Sequence, residues 1–188
     1  SAPIHAVCSN KYGSLEVNPE HARPEDDVVA NISQLTAIVQ EVFDCIFNSL
    51  PRCPRNFRVV CSYIKKSCTE KFASSVIKVV GAFIILQYFS AALDTPEANG
   101  LLEKAPGLDA RRILVLISKA LQNLVNHTRF RETYMDPLNK VLEANFDRMN
   151  SFLEEVSQVP PDDSSLFPAT VDGKQNVKQE DYEEALKQ

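Results

Sequence analysis

Glycine is scarce in this sequence, with five residues among 188, and no segment alternates apolar and polar residues in the way that marks a half-buried strand. Proline, in contrast, occurs eleven times, and several prolines separate one long apolar stretch from the next. So few glycines argue against the strand-and-turn pattern of a β-rich protein. No internal repeat is present. The sequence therefore predicts an all-α fold, a bundle-like array of helices.

The motifs that hold nucleotides, metals or catalytic nucleophiles are also missing. The sequence has no GxxxxGK[ST] or GxGxxG phosphate loop, no HExxH or CxxC metal motif, and no GxSxG elbow. Its three histidines, His5, His21 and His127, lie far from any pair of cysteines. We therefore expect no metal site, no cofactor and no catalytic residue in this chain.

Positive charge is in deficit, because 20 Lys and Arg face 25 Asp and Glu for a net charge of −5. A mildly acidic chain is a poor ligand for the phosphate backbone, so we expect no nucleic acid partner. Local basic clusters still suit an acidic surface on a partner protein.

The five cysteines give an odd count, and the start of the chain has no apolar segment like a signal peptide. Cys61 and Cys68 would lie on one helix, about 10 Å apart along its axis, which is too far for a disulfide. The prediction is reduced thiols in a cytoplasmic protein.

Apolar periodicity predicts the course of the helices. Residues 1–23 show no sustained period and are predicted to be irregular. An acidic start at residues 24–27 opens a helix that Pro51 ends, and Pro54 suits the first turn of the next. Residues 76–93 are almost continuously apolar and would just cross a bilayer, but interruptions such as Lys78 favour a central buried helix.

Two further helices follow a loop that contains Gly100 and Gly107. Asp109 is a plausible N-cap for the first, and Asp136-Pro137 supplies a cap and a first-turn proline for the second. We assign residues 24–157 to one helical domain. Residues 158–188 are predicted to be a polar linker followed by a short C-terminal helix.

Three stretches within this domain resemble a known family. Residues 80–96 (VGAFIILQYFSAALDTP) are similar to the signature of Ras GTPase-activating domains. The stretches 116–126 (LISKALQNLVN) and 132–139 (ETYMDPLN) resemble two further family motifs in the same order. The order and spacing hold over residues 28–156. The resemblance implies the C-terminal part of a helical domain of the neurofibromin and RasGAP type.

The family activates GTP hydrolysis in trans, so the resemblance implies an activator rather than an enzyme. An arginine finger enters the active site of the G protein and stabilises the charge that develops on the transferred phosphoryl group. The finger loop of the family lies upstream of every motif matched here, so we expect the finger to be outside this chain. Gln87 stands where the family has an arginine that braces the finger loop, and it lacks the charged planar fork.

The implied partner is a Ras-type small GTPase in its GTP-bound state, which would bring the protein close to a membrane. Family positions at the docking groove correspond to Lys119, Leu121, Gln122 and Asn126, although the apolar Leu121 fits a core position equally well. Arg111 and Arg112 would enlarge a basic rim. Lys119 and Asn126 are seven residues apart, on one helix face. An alternative is a non-catalytic binder or scaffold on the same helices, which Gln87 favours. Residue patterns do not identify the particular GTPase.

Overall fold

The structure is a computed structural model that describes residues 2–9, 11–72 and 75–158. All regular secondary structure in this part of the chain is helical, which confirms the predicted all-α class. The helices are α1 (Ala2–Cys8), α2 (Val28–Phe47), α3 (Arg55–Phe72), α4 (Val76–Ile84), α5 (Ala91–Asp94), α6 (Leu108–Asn126) and α7 (Asp136–Val156). A π-helical segment, Ile85–Ser90, joins α4 to α5, and 3-10 turns at Leu50–Arg52 and Thr133–Met135 precede α3 and α7.

The N-terminal segment is more ordered than its sequence suggests. Residues 1–23 were expected to be irregular, yet α1 occupies seven of them. Two turns are too short to establish a hydrophobic period, so this helix leaves no clear sequence signal. Its buried residues Ile4 and Val7 join the main core together with Leu15 and Val17 from the following loop. Apart from Gln158, the predicted linker and C-terminal helix lie outside the described residues.

The start of α2 is fixed by its N-cap. The carboxylate of Asp27 accepts hydrogen bonds from the backbone N–H groups of Val29 (3.1 Å) and Ala30 (3.0 Å). These two donors would otherwise lack partners in the first turn of the helix. The helix therefore begins at Val28, at the end of the acidic stretch that the sequence indicated.

α6 is the central helix of the fold. It contacts α1, α2, α4, α5, α7 and the π segment, and its inward residues from Ile113 to Val125 are almost fully buried. Its N-cap is Gly107, which corrects the expected Asp109 cap. Asp109 instead lies in the first turn, where its carboxylate pairs with Arg23 at 2.9 Å. Similarly, Asp136 is the first residue of α7 and Met135 is its cap.

The apolar run at residues 76–93 is helical throughout but is not the central helix. Within the described residues, Val76–Asp94 is the one helix long and apolar enough to cross a membrane, and 39% of its most apolar window is buried. Val80, Ile84 and Ile85 face the core, whereas Leu86 and Tyr88 on the π segment are about half exposed. One face therefore packs on α6 and α7, and the prediction of full burial was wrong for the π segment.

Candidate docking groove

A polar groove of about 390 Å³ runs along the N-terminal and middle turns of α6. One wall is the α1–α2 loop, defined here as residues 11–27. The other wall is the segment that connects α6 to α7, residues 127–135. The lining residues are Glu16, Val17, Asn18, His21, Arg112, Leu116, Lys119, Gln122, Asn123, Arg129, Phe130, Arg131, Glu132, Tyr134 and Met135.

Glu16 anchors the α1–α2 loop against α6. Its side chain is only 7% exposed and pairs with the guanidinium of Arg112 at 2.5 Å. The carboxylate also accepts a hydrogen bond from the backbone N–H of Asn18 at 2.8 Å. The side-chain amide of Asn31, on α2, donates to the carbonyl oxygen of Glu16 at 2.9 Å. A buried charge that is paired and hydrogen-bonded in this way holds its backbone in one position.

The opposite wall is held by the side chain of Asn139, on α7. Its Oδ1 accepts from the backbone N–H of Phe130 at 2.8 Å, and its Nδ2 donates to the carbonyl of Phe130 at 3.1 Å. At the start of this wall, His127 caps the C-terminus of α6 in a left-handed conformation (φ 53°) and stacks on Phe146 with ring centroids 4.5 Å apart. These contacts fix both backbone walls before any partner arrives.

Most of the basic residues around α6 are already paired. Arg23 pairs with Asp109, Arg111 with Glu97, Arg112 with Glu16, and Arg129 with Glu143. Arg111 and Arg112, which were expected to enlarge a free basic rim, are therefore partly neutralised. Lys119 and Arg131 both line the groove and are exposed, and neither forms an ion pair with another described residue. Glu132 also lines the groove and is exposed, and it forms no ion pair with a described residue, so the unpaired charges are two cations and one carboxylate.

Arg131 was missed by sequence reasoning. It lies between two of the motifs that carried the family resemblance, in a stretch with no period of its own. Its only sequence signal is the pair Arg129 and Arg131 on either side of Phe130. Only the structure brings this segment to the mouth of the groove opposite the helix that carries Lys119.

The other predicted contact residues have different environments. Gln122 is half-buried in the groove, and its Nε2 donates to the hydroxyls of Ser90 (3.4 Å) and Ser118 (3.5 Å). Asn126 is exposed at the end of α6 but does not line the groove, where Asn123 takes its place. Leu121 is 0% exposed, which corrects its assignment as a contact residue. Its side chain supports α6 from the core.

Gln87 lies away from this groove, on the exposed side of the π segment. Its neighbour Tyr88 packs edge-on against Phe57 (4.8 Å between centroids) and Phe83 (5.5 Å). π-helical turns are frequent at functional sites, because they push side chains out of the regular helical ladder. Here the π turn exposes Leu86, Gln87 and Tyr88 in succession.

The pKa of Tyr134 reflects the charges at one end of the groove. Its pKa is raised above the ordinary value, first by burial of the phenol and then by the carboxylates of Glu132, Glu16 and Glu20, with Arg112 acting in the opposite direction. The hydroxyl is therefore neutral at physiological pH and can donate a hydrogen bond. Of these carboxylates, Glu16 and Glu132 line the groove together with Tyr134.

A second cavity, of about 740 Å³, is largely apolar. It lies between α1, the C-terminal half of α2 and the π segment, and its lining includes Val42, Tyr88, Leu93 and Leu102. Leu121 borders this cavity rather than the polar groove. Among the described residues, no group of His, Cys, Asp and Glu side chains could hold a metal ion.

Comparison with known proteins matches this chain to one family. Residues 8–126 match the family described as GTPase-activator protein for Ras-like GTPase. The chain is 30% identical to a probable Ras GTPase-activating-like protein, ngap, of Dictyostelium discoideum over 85% of its length. It is 30% identical to human Ras GTPase-activating protein 1 over 78% of its length, and 31% identical to neurofibromin-A of Dictyostelium discoideum over 80%.

The chain spans only a small part of these relatives. The matched region is 19% of ngap, 14% of the human protein and 17% of neurofibromin-A. The family match begins at residue 8, so it includes the α1–α2 loop as well as the motifs on α4 and α6. One wall of the polar groove, which carried no part of the motif resemblance, is thus inside the matched region.

Proposed function

Because the chain belongs to the family of GTPase-activator proteins for Ras-like GTPases, we propose that it forms part of the docking surface for a Ras-type small GTPase in the GTP-bound state. The observation that carries the proposal is the polar groove on α6. Its walls are held by hydrogen bonds, and its cations Lys119 and Arg131 form no ion pair with any described residue, although the chain as a whole is acidic. Such a local excess of positive charge suits an acidic surface on the partner and speeds association with it.

Lys119, Arg131, Gln122 and Asn126 are the proposed contact residues. The two cations pair with carboxylates of the GTPase, and Asn126 donates from the exposed end of α6. Gln122 is shared between the groove and Ser90, so it also ties α6 to the π segment. The GTPase itself holds the nucleotide and Mg²⁺, in keeping with the lack of a phosphate loop in this chain.

We propose that the chain acts in trans and that none of its arginines serves as the finger. Four of the arginines near α6 pair with carboxylates, and Arg58 donates to the carbonyl of Glu155 at 2.9 Å. A finger must instead extend from a loop into the partner's active site. Residues 24–157 remain the proposed domain, to which α1 and the α1–α2 loop contribute core residues. The proposed location is cytoplasmic, next to the membrane that carries the partner.

A non-catalytic binder with the same helices is the second candidate, and Gln87 favours it. A bracing guanidinium would donate several hydrogen bonds in a fixed plane, whereas the amide of Gln87 donates fewer and carries no charge. The two functions differ in one measurement. Both require binding of the GTP-loaded partner, but only the activator accelerates hydrolysis when a finger is present.

Reversal of one charge tests docking. Lys119→Glu in the 188-residue chain is expected to weaken binding to a Ras-type GTPase loaded with a non-hydrolysable GTP analogue by about tenfold at low salt, because an attraction becomes a repulsion. The loss should shrink as salt screens the charges. Surface plasmon resonance or calorimetry measures the affinity, and circular dichroism checks the fold.

Lys140→Glu is the matched control, because Lys140 is exposed on α7 and does not line the groove. It changes the net charge by the same amount. Equal losses of affinity in the two variants would mean that the change in net charge causes the loss and that Lys119 does not contact the partner.

A further inference from the structure

We infer that the turn at residues 18–21 of the α1–α2 loop is a second contact element of the docking surface, at which Glu20 binds a basic group of the GTPase. This inference rests on the docking function proposed above and extends it to a wall of the groove that the family motifs did not indicate. It predicts that the groove recognises charges of both signs, with cations on α6 and the 127–135 segment and a carboxylate on the loop.

The first support is the rigidity of the turn. Asn18 accepts hydrogen bonds from the backbone N–H of Glu20 at its Oδ1 (3.0 Å) and from the N–H of His21 at its carbonyl (3.0 Å). Its Nδ2 lies 3.3 Å from Nδ1 of His21. The turn therefore satisfies much of its own backbone, and Glu16 ties its base to α6 through Arg112. A preorganised loop loses little conformational entropy when a partner binds.

The second support is the position of the turn. Asn18 and His21, at the two ends of the turn, line the same groove as Lys119 and Arg131. Pro19, Glu20 and His21 are all exposed. The negative charge of Glu20 also helps to raise the pKa of Tyr134 on the opposite wall, after burial and the charges of Glu132 and Glu16.

The third support is the balance of charge. The charge of Glu16 is taken up by Arg112, whereas Glu20 forms no ion pair with any described residue. Glu132 stands on the other wall at the same end. A partner with only acidic groups would be repelled at this end. The arrangement instead fits a surface on which an acidic patch adjoins a Lys or Arg, and opposite charges at the two ends set the orientation of the bound protein.

Two charge reversals in the 188-residue chain test the inference. Glu20→Lys and Glu25→Lys each raise the net charge by two, and both side chains are exposed. Glu20 lies in the turn whose ends, Asn18 and His21, line the groove, whereas Glu25 lies beyond that turn and neither it nor an adjacent residue lines the groove. The probe is a Ras-type GTPase loaded with a non-hydrolysable GTP analogue. We expect Glu20→Lys to weaken binding about fivefold to tenfold at low salt, and Glu25→Lys to leave it unchanged or slightly tighter. Glu20→Gln, which removes the attraction without adding repulsion, should cause a smaller loss.

Tighter binding by Glu20→Lys, or equal effects of the two reversals, would overturn the inference. Either result would mean that the partner responds to the overall charge of the chain and not to a contact with Glu20. The outcome for Lys119→Glu separates the two proposals. If Lys119→Glu weakens binding while Glu20→Lys behaves like Glu25→Lys, docking stands and the second contact element fails. If Lys119→Glu is also without effect, the docking proposal itself fails. The melting temperature of each variant must match that of the natural chain, so that a loss of affinity reflects a lost contact and not unfolding.

Discussion

Position 87 carries a neutral amide where the family motif has a guanidinium, and its environment determines what a reversion would do. The apolar sequence around it suggests that an arginine would be buried without a partner and would destabilise the fold. In the structure Gln87 is exposed on the π segment, so the charge of an arginine would remain in water. Its aliphatic stem would also cover the half-exposed side chains beside it.

We therefore predict that Gln87→Arg changes the free energy of unfolding by less than about 0.5 kcal/mol, as is usual for an exposed position. Chemical denaturation of the 188-residue chain measures this change. Where a finger loop is present to receive the new guanidinium, stimulation of hydrolysis should rise or stay the same. A decrease of several kcal/mol in the free energy of unfolding would show that Gln87 makes buried contacts and that this position no longer suits the bracing arginine of the family.

Cys61 gives a prediction about pH. Its thiol is fully buried on α3, and burial, with a smaller contribution from Cys53, raises its pKa to about 11 although a backbone hydrogen bond acts in the opposite direction. The unfolded chain loses this proton near the ordinary pKa of 9.0, so between the two values the unfolded state binds fewer protons. Stability from this group is thus complete below about pH 9 and declines toward pH 11, by on the order of 2 kcal/mol.

Comparison with Cys61→Ala isolates this effect, because lysines and tyrosines titrate in the same range. The variant is less stable at pH 7 through the loss of buried volume, but the gap between the two proteins should narrow as the pH rises from 9 to 11. Urea denaturation at a series of pH values measures the gap. A constant gap would mean that the thiol titrates equally in the folded and unfolded states.

At the residue scale, the family motifs indicated which residues correspond to the docking groove, but they did not indicate which of these are exposed. Seven-residue spacing predicted one face of α6 for Lys119 and Asn126, but Lys119 lines the groove and Asn126 does not, while Leu121, in the same motif, is fully buried. The apolar stripe that contains Leu121 already indicated a core position, and the family match competed with that reading. Arg131 and Glu20 were missed because each lies in a loop, where position depends on tertiary contacts such as those of Asn139 and Glu16.

At the scale of helices, the close crossing of α4 with α6 and α7 depends on Gly81. A Cβ atom at this position would lie 2.6 Å from Cγ1 of Val125 and 2.9 Å from Cδ1 of Leu153. We predict that Gly81→Ala destabilises the chain by about 1–3 kcal/mol, the usual effect of overpacking a core, despite the higher helix propensity of alanine. Thermal or chemical denaturation provides the measurement.

Two variants make the Gly81 experiment specific. Gly107→Ala is the matched control, because nothing lies within 4 Å of a Cβ built at Gly107, and its effect should stay below about 1 kcal/mol. Val125→Ala opens space at the crossing, so adding Gly81→Ala to that background should cost less than in the natural chain. Equal costs in both backgrounds would contradict the proposed clash.

Caps and prolines in the sequence placed the starts of α2 and α3, whereas the predicted caps Asp109 and Asp136 proved to lie inside the first turns of α6 and α7. Asp27 caps α2 close to its predicted start, and the proline at residue 54 precedes α3. α1 was missed because seven residues cannot show a period. The π segment was missed because a widened turn has no distinctive composition, yet it decides which residues of the apolar run are exposed. The polar link from Gln122 to Ser90 is likewise a tertiary feature.

At the scale of the whole molecule, the two cavities differ in chemistry. The polar groove has rigid walls and charges of both signs, while the larger cavity is lined mainly by apolar side chains, some of them exposed, such as Leu101 at 45% and Tyr88 at 48%. Exposed apolar surface of this kind promotes association. Binding and kinetic measurements on the chain therefore need a check of its oligomeric state by light scattering at the concentrations used.

The final prediction concerns hydrolysis by the 188-residue chain. We predict that it binds a GTP-loaded Ras-type GTPase without accelerating hydrolysis, because positioning by the groove cannot replace the transition-state charge of an arginine finger. The arginines around α6 are largely held by carboxylates, and the brace position holds Gln87. A single-turnover assay with excess chain, monitoring release of phosphate, should give the intrinsic rate of the GTPase. Acceleration by more than about tenfold would show that an arginine of this chain acts as the finger. Arg131, which is exposed in the groove and unpaired among the described residues, would be the first to test, by Arg131→Ala with Arg52→Ala as the control.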